Sequence, residues 1–206
     1  MICMVATSLG QESAAQARVR IQAGKSFRLR VMACGIMVVV IALIVHAPAL
    51  KNGFVNWDDG IYVYENGMIQ SLQPGSCRWM LTSFHATNWH PLTWLSHAVD
   101  RAFFGLHPRG HHLTSILLHG CNTLLVLLLV IVLYLQALAC PRAPAASEKP
   151  AVPVQALIAG CVTAVLFGVH PLRVESVAWI AERKDVLCAF FFLLTLLSYC
   201  LFVSCA

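Results

Sequence analysis

The sequence predicts an all-α integral membrane protein with about four transmembrane helices and short amphipathic interfacial helices in its outer loops. Three observations carry this. Charged residues make up 11% of the 206 residues and hydrophobic residues 59%, whereas average soluble domains carry roughly 25% charge. Mean hydropathy is +0.74. Four apolar runs approach or exceed the length of about 20 residues that crosses a hydrocarbon core of about 30 Å. A soluble globule of this size has too little interior to hide so much apolar surface, and a disordered chain would be poor in it. Lone strands would leave backbone groups unpaired in lipid, so each crossing has to be a helix.

The expected spans are 31–50, 113–137, 154–170 and 186–206. The first holds 20 residues without a formal charge, and the third, with 17, is near the minimum for crossing. Arg18, Arg20, Lys25, Arg28 and Arg30 precede the first span, so 1–30 reads as a mobile basic tail. Positive charge before the first span places the N-terminus in the cytoplasm. Four crossings return the C-terminus there, leave 51–112 and 171–185 as outer loops, and make the Ala/Pro-rich 141–153 an inner linker. Over all loops seven Lys/Arg fall on each side, so the first span sets the orientation. Ala47-Pro48-Ala49 formally fits a signal-peptidase site. However, an apolar run of 20 residues exceeds a signal core of about 7–15, and the run reads as a retained anchor.

The net charge of +5 comes from scattered basic residues, with no stripe that could track phosphates, so no nucleic-acid partner is expected. The nine cysteines form no C-x-x-C pair and lie mostly in apolar runs, where Cys behaves as a small hydrophobe. Neither a disulfide framework nor a zinc site follows. His111-His112 shows no metal-ligand spacing of the H-E-x-x-H kind.

The outer loops carry the information. The first holds four of the nine acidic residues, four of the five Trp and six of the nine His, too much for a plain connector. Pro91 and Gly105 mark the start and end of a helix. Leu92, Leu95, Val99 and Ala102/Phe103 form an apolar stripe on it, with Asp100 and Arg101 turned elsewhere. Such a helix suits a position flat on the membrane, and 77–84 reads as a second short one. In the second outer loop, a continuous helix would put Glu175, Trp179 and Glu182 on one face. Six charges there cancel to zero over 171–185.

Three stretches are recognisable together: FVNWDDGIYVYEN (54–66), NWHPLTWLSHAVDRAFFGLHPRGHHLTSILLH (88–119) and HPLRVESVAWIAERKDVL (170–187). In this order they closely resemble the N-terminal part of bacterial, tetratricopeptide-repeat-containing membrane glycosyltransferases of the GT-C superfamily, which are similar to the eukaryotic O-mannosyltransferases that carry such repeats. The resemblance implies an enzyme of the bacterial inner membrane that moves a sugar from a polyprenyl-phosphate carrier to a protein or glycan acceptor on the outer face. It implies an acidic pair in the first outer loop, matched by Asp58 and Asp59, with Asp58 as the base. It also implies basic groups that hold the carrier phosphate, with Arg183 and Lys184 in position for that role. Family members continue with further spans and a repeat domain. The sequence ends at Ala206, so an N-terminal fragment, inactive alone and lacking the repeat domain, is expected.

Inverting glycosyl transfer needs a base for the acceptor's proton, and a carboxylate beside another carboxylate at a lipid boundary can have the raised pKa that suits it. Asp58 and Asp59 could instead hold a divalent cation, or form only a solvated Asp-Asp-Gly turn. Glu175, Glu182, Arg183, Lys184 and Asp185 either bind the carrier phosphate and order the site, or make a surface helix with compensating charges. His90-Pro91 reads as a helix start first and a phosphate-site residue second. Outside catalysis, the alternatives are a membrane anchor for a partner-binding repeat module and an inactive truncated fragment.

Overall fold

The computed structural model describes residues 2–139 and 152–205, with side chains over 24–137 and 154–203. Seven α-helices occur in these residues: α1 (Ile2–His46), α2 (Pro74–Thr82), α3 (Pro91–Phe104), α4 (Pro108–Ala139), α5 (Val152–Val169), α6 (Arg173–Ala178) and α7 (Arg183–Cys205). Among the described residues there is no strand. The segments Gly24–Lys51, Pro108–Ala137 and Ile180–Val203 are long and apolar enough to cross a membrane, and Val154–Val169 is a shorter apolar helix. With 18 residues, α5 is about 27 Å long, just under the hydrocarbon thickness.

The basic segment ahead of the first span is helical and continuous with it, α1 running unbroken from Ile2. One expectation is corrected. The loop 171–185 is not one helix: Trp179 is extended (φ −93°, ψ 120°) and separates α6 from a 3₁₀ turn over Ile180–Glu182. The common face of Glu175, Trp179 and Glu182 is thereby lost. The linker expected at 141–153 lies outside the described residues except for its last two, which begin α5.

Helix α4 is central and packs against α1, α5 and α7. Val38, Leu127, Ile131, Ala156, Ala164 and Leu193 form the bundle core. Close approach is set by small residues, as is usual where lipid supplies no hydrophobic drive between helices. A Cβ on Gly160 of α5 would stand 2.9 Å from Leu127 Cδ1 and 3.2 Å from the Leu127 carbonyl oxygen.

The exterior is apolar, with Ile44 66% and Phe202 70% exposed, and polar side chains turn inward. His111, Ser115, His119 and Asn122 make a buried polar stripe on α4. The Gly168 carbonyl at the end of α5 receives two of these inward groups, His46 Nε2 at 3.1 Å and His119 Nε2 at 3.0 Å, where helix ends leave carbonyls unpaired. Asn122 Nδ2 donates to the Val186 carbonyl at 2.9 Å and ties α4 to α7. Polar groups in spans facing the bundle interior are the membrane pattern.

A second core lies beyond the spans. Tyr62, Val63, Ile69, Met80 and Trp94 from the loop 51–112 pack with Ile180 and Ala181 from the loop 171–185. The two loops therefore form one body over the bundle.

Candidate functional site

Helix α3 starts at Pro91 and stops at Gly105, whose φ of +61° suits glycine. Its apolar stripe faces outward: Leu92, Leu95, Val99 and Phe103 are exposed, while Thr93, Trp94, His97, Ala98 and Asp100 are buried. An apolar face turned out and a polar face turned in suit a helix against lipid.

The buried face of α3 meets the first turn of α7. Arg183 is fully buried. Its Nη1 donates to Asp100 Oδ2 at 2.5 Å and to Ser96 Oγ at 3.1 Å. Its Nη2 donates to the His111 carbonyl at 2.5 Å and its Nε to Ser115 Oγ at 3.3 Å. Thr114 Oγ1 donates to the other Asp100 oxygen at 2.7 Å. The guanidinium thus joins α3, α4 and α7 from within, and its charge is met by Asp100.

Asp58 and Asp59 separate sharply. Asp59 is buried, with Oδ2 accepting from the Val55 amide at 2.8 Å and Oδ1 from the Ala181 amide at 2.9 Å. The second bond crosses between the loops 51–112 and 171–185. Burial pushes the Asp59 carboxyl above the ordinary range, against the opposing pull of its backbone donors. The solvated-turn alternative is therefore corrected for Asp59. Asp58 is only half-buried, and it precedes a π-helical turn over Gly60–Tyr64, a geometry frequent at functional sites. Beside it, the Trp57 and Trp179 rings meet edge-on at 6.4 Å.

A groove of about 410 Å³ opens between the starts of α3 and α7, lined by His90, Leu92, Lys184, Asp185, Leu187 and Phe191 among others. Lys184 Nζ donates to Glu182 Oε1 at 2.6 Å and stands 5.4 Å from the centre of the Tyr62 ring. Burial first, and then the Lys184 charge, lower the His90 pKa below its ordinary value. Asp185 is exposed and accepts from Ser176 Oγ at 3.3 Å. Glu175 is exposed on α6, and among the described residues its side chain makes no hydrogen bond or ion pair. Of the charged residues singled out in the second loop, Glu182, Lys184 and Asp185 thus gather near His90, Arg183 turns inward and Glu175 stays apart.

Ligating atoms of His97, Asp100 and His111 lie within 4.8 Å of one another. Arg183 already neutralises Asp100, and both Asp100 oxygens accept hydrogen bonds. A metal ion would meet that guanidinium in a dry site, so the cluster is an ion-pair network. Burial, with Arg183 and His111 adding to it, holds the His97 pKa well below its ordinary value.

Sequence reasoning missed Asp100 and His97 as site-organising residues. The signal was present: Thr93, Ser96/His97 and Asp100 recur at helical spacing on the face opposite the apolar stripe.

With the mouse protein O-mannosyl-transferase TMTC4 the chain is 30% identical over 169 residues, covering 78% of this chain and 22% of that protein. Its homologues are protein O-mannosyl-transferases. The human TMTC4 enzyme is 31% identical over 171 residues, covering 78% of this chain and 22% of its own length. Drosophila melanogaster Tmtc1 is 28% identical over 168 residues, covering 77% and 17%. The chain spans about a fifth of the length of the curated TMTC4 relatives it matches. No family model matches the chain, and no solved structure does.

Proposed function

We propose that this chain forms the loop-bearing N-terminal part of a GT-C membrane glycosyltransferase, related to tetratricopeptide-repeat enzymes. It transfers a sugar, mannose by the naming of its homologues, from a polyprenyl-phosphate carrier to a protein or glycan acceptor on the outer face. The basic cluster at Arg18–Arg30 supports a cytoplasmic N-terminus. The bacterial inner-membrane setting rests on the family resemblance alone.

The observation that carries the reading is the Asp59–Ala181 hydrogen bond of 2.9 Å. It fastens the acidic segment of one outer loop to the turn that leads into Lys184, so a base and a phosphate-binding cation share one rigid body. In this scheme Asp58 accepts the acceptor hydroxyl proton as the new oxygen–carbon bond forms at the sugar. The sugar–phosphate bond breaks, and the carrier phosphate leaves with the bonding electrons. Lys184 and His90 face that phosphate, and Leu92, Leu187 and Phe191 offer the apolar wall for the polyprenyl chain. Asp59 positions, and Arg183 braces the turn. A divalent cation on Asp58 is the variant of this scheme in which metal offsets phosphate charge.

The test is transfer of labelled mannose from polyprenyl-phosphate mannose to acceptor by the full-length protein in liposomes. The expected result is product on the loop side of the membrane. Intact donor after long incubation, with the protein folded and inserted, would contradict the reading.

A further inference from the structure

We infer that the groove between the end of the first span and the α3–α4 turn is a binding site for an anionic phospholipid of the surrounding bilayer. This groove, of about 700 Å³, is lined by Leu50, Lys51, Phe103, His107, Arg109 and Leu113 among others. It sits at the far end of α3 from the Lys184 groove, so the inference stands apart from the proposed transfer reaction.

Three features select the occupant. Charge comes first: Lys51 and Arg109 are exposed, no acidic residue lines the groove, and among the described residues neither cation has an ion-pair partner. Depth is the second. Lys51 closes the segment Gly24–Lys51 and Arg109 is the second residue of Pro108–Ala137, so both stand where hydrocarbon gives way to headgroups. The third is the wall beneath them. Leu50, Leu113 and Phe103 are apolar, and Phe103 is 79% exposed, which would be costly in water and suits an acyl chain. The close Phe104–Gly110 approach holds this wall in place: a Cβ on Gly110 would collide with the Phe104 side chain. A soluble phosphate would use the cations and leave the apolar wall bare. A zwitterionic lipid would use the wall and gain less from the cations.

Native mass spectrometry of the purified protein, released from micelles holding equal phosphatidylglycerol and phosphatidylcholine of matched chains, tests this. Retained adducts of phosphatidylglycerol should exceed those of phosphatidylcholine. Changing both Lys51→Gln and Arg109→Gln should weaken phosphatidylglycerol binding about thirtyfold, the loss expected for two basic contacts near an anionic surface. Thermal stability in detergent should be unchanged, because both positions are exposed. Lys184→Gln should leave the adduct intact. Equal adducts of the two lipids, an unchanged adduct in the double variant, or displacement by inorganic phosphate alone would overturn the inference. Loss of the adduct in Lys184→Gln would also overturn it, by moving the lipid to the other groove.

Discussion

Arg183 and Asp100 form an ion pair at 2.5 Å in which the arginine side chain is 0% and the aspartate side chain 4% exposed. Eighty-three residues separate them, and their contact fixes the first turn of α7 against the inner face of α3. Two charges in so dry a place are tolerated because each has further partners: Ser96, Ser115 and the His111 carbonyl for the guanidinium, and Thr114 for the carboxylate.

Removing one member should therefore cost more than removing both. Arg183→Met or Asp100→Leu alone should destabilise by about 3–5 kcal/mol, because a charge stays buried without its partner, whereas the double change should recover much of that loss. Denaturation in mixed micelles across the double-mutant cycle measures this. Additive losses would show that the pair is not coupled.

His97 sets a pH dependence. Its folded pKa lies well below the ordinary 6.5, so on acidification the unfolded state takes up the proton first. The stability contributed by neutral His97 is present above the unfolded value and is lost as pH falls below it. Between about pH 7.5 and about pH 5, the wild type should lose more stability than His97→Leu, in which the titration is absent. Parallel losses would assign the acid sensitivity to other groups.

Cys77 reports topology. It lies on α2 in the loop 51–112 and is half-buried as a free thiol. With the other cysteines replaced, a membrane-impermeant maleimide added to the outer side of oriented sealed vesicles should label it. Labelling only from the cytoplasmic side would overturn the orientation drawn from Arg18–Arg30.

Much of the fold was legible because membrane helices follow from local composition. The bounds of α3 could be read from Pro91 and Gly105, and the four apolar runs from their lack of charge. Long-range partners were not legible. Nothing local to Ala181 indicates that its amide binds Asp59, 122 residues away. Likewise, Arg183 sits beside Lys184 in sequence with the same formal charge, yet one is buried on Asp100 and the other borders the groove. The break at Trp179 escaped as well, because periodicity across 173–185 fits one helix and tertiary packing of Ile180 and Ala181 overrides it.

The contrast between Asp58 and Asp59 gives the most direct test. Asp59→Asn replaces an acceptor oxygen by an N–H donor that must face the amide of Val55 or Ala181, so it should destabilise by about 1–3 kcal/mol. Asp58→Asn should leave stability within about 0.5 kcal/mol. The deciding measurement is the single-turnover rate of mannose transfer from polyprenyl-phosphate mannose by full-length Asp58→Asn protein in liposomes. A fall of about 10²–10⁴-fold is expected, the range for loss of a general base, with folding and insertion retained. A rate near that of the wild type would remove Asp58 from the chemistry.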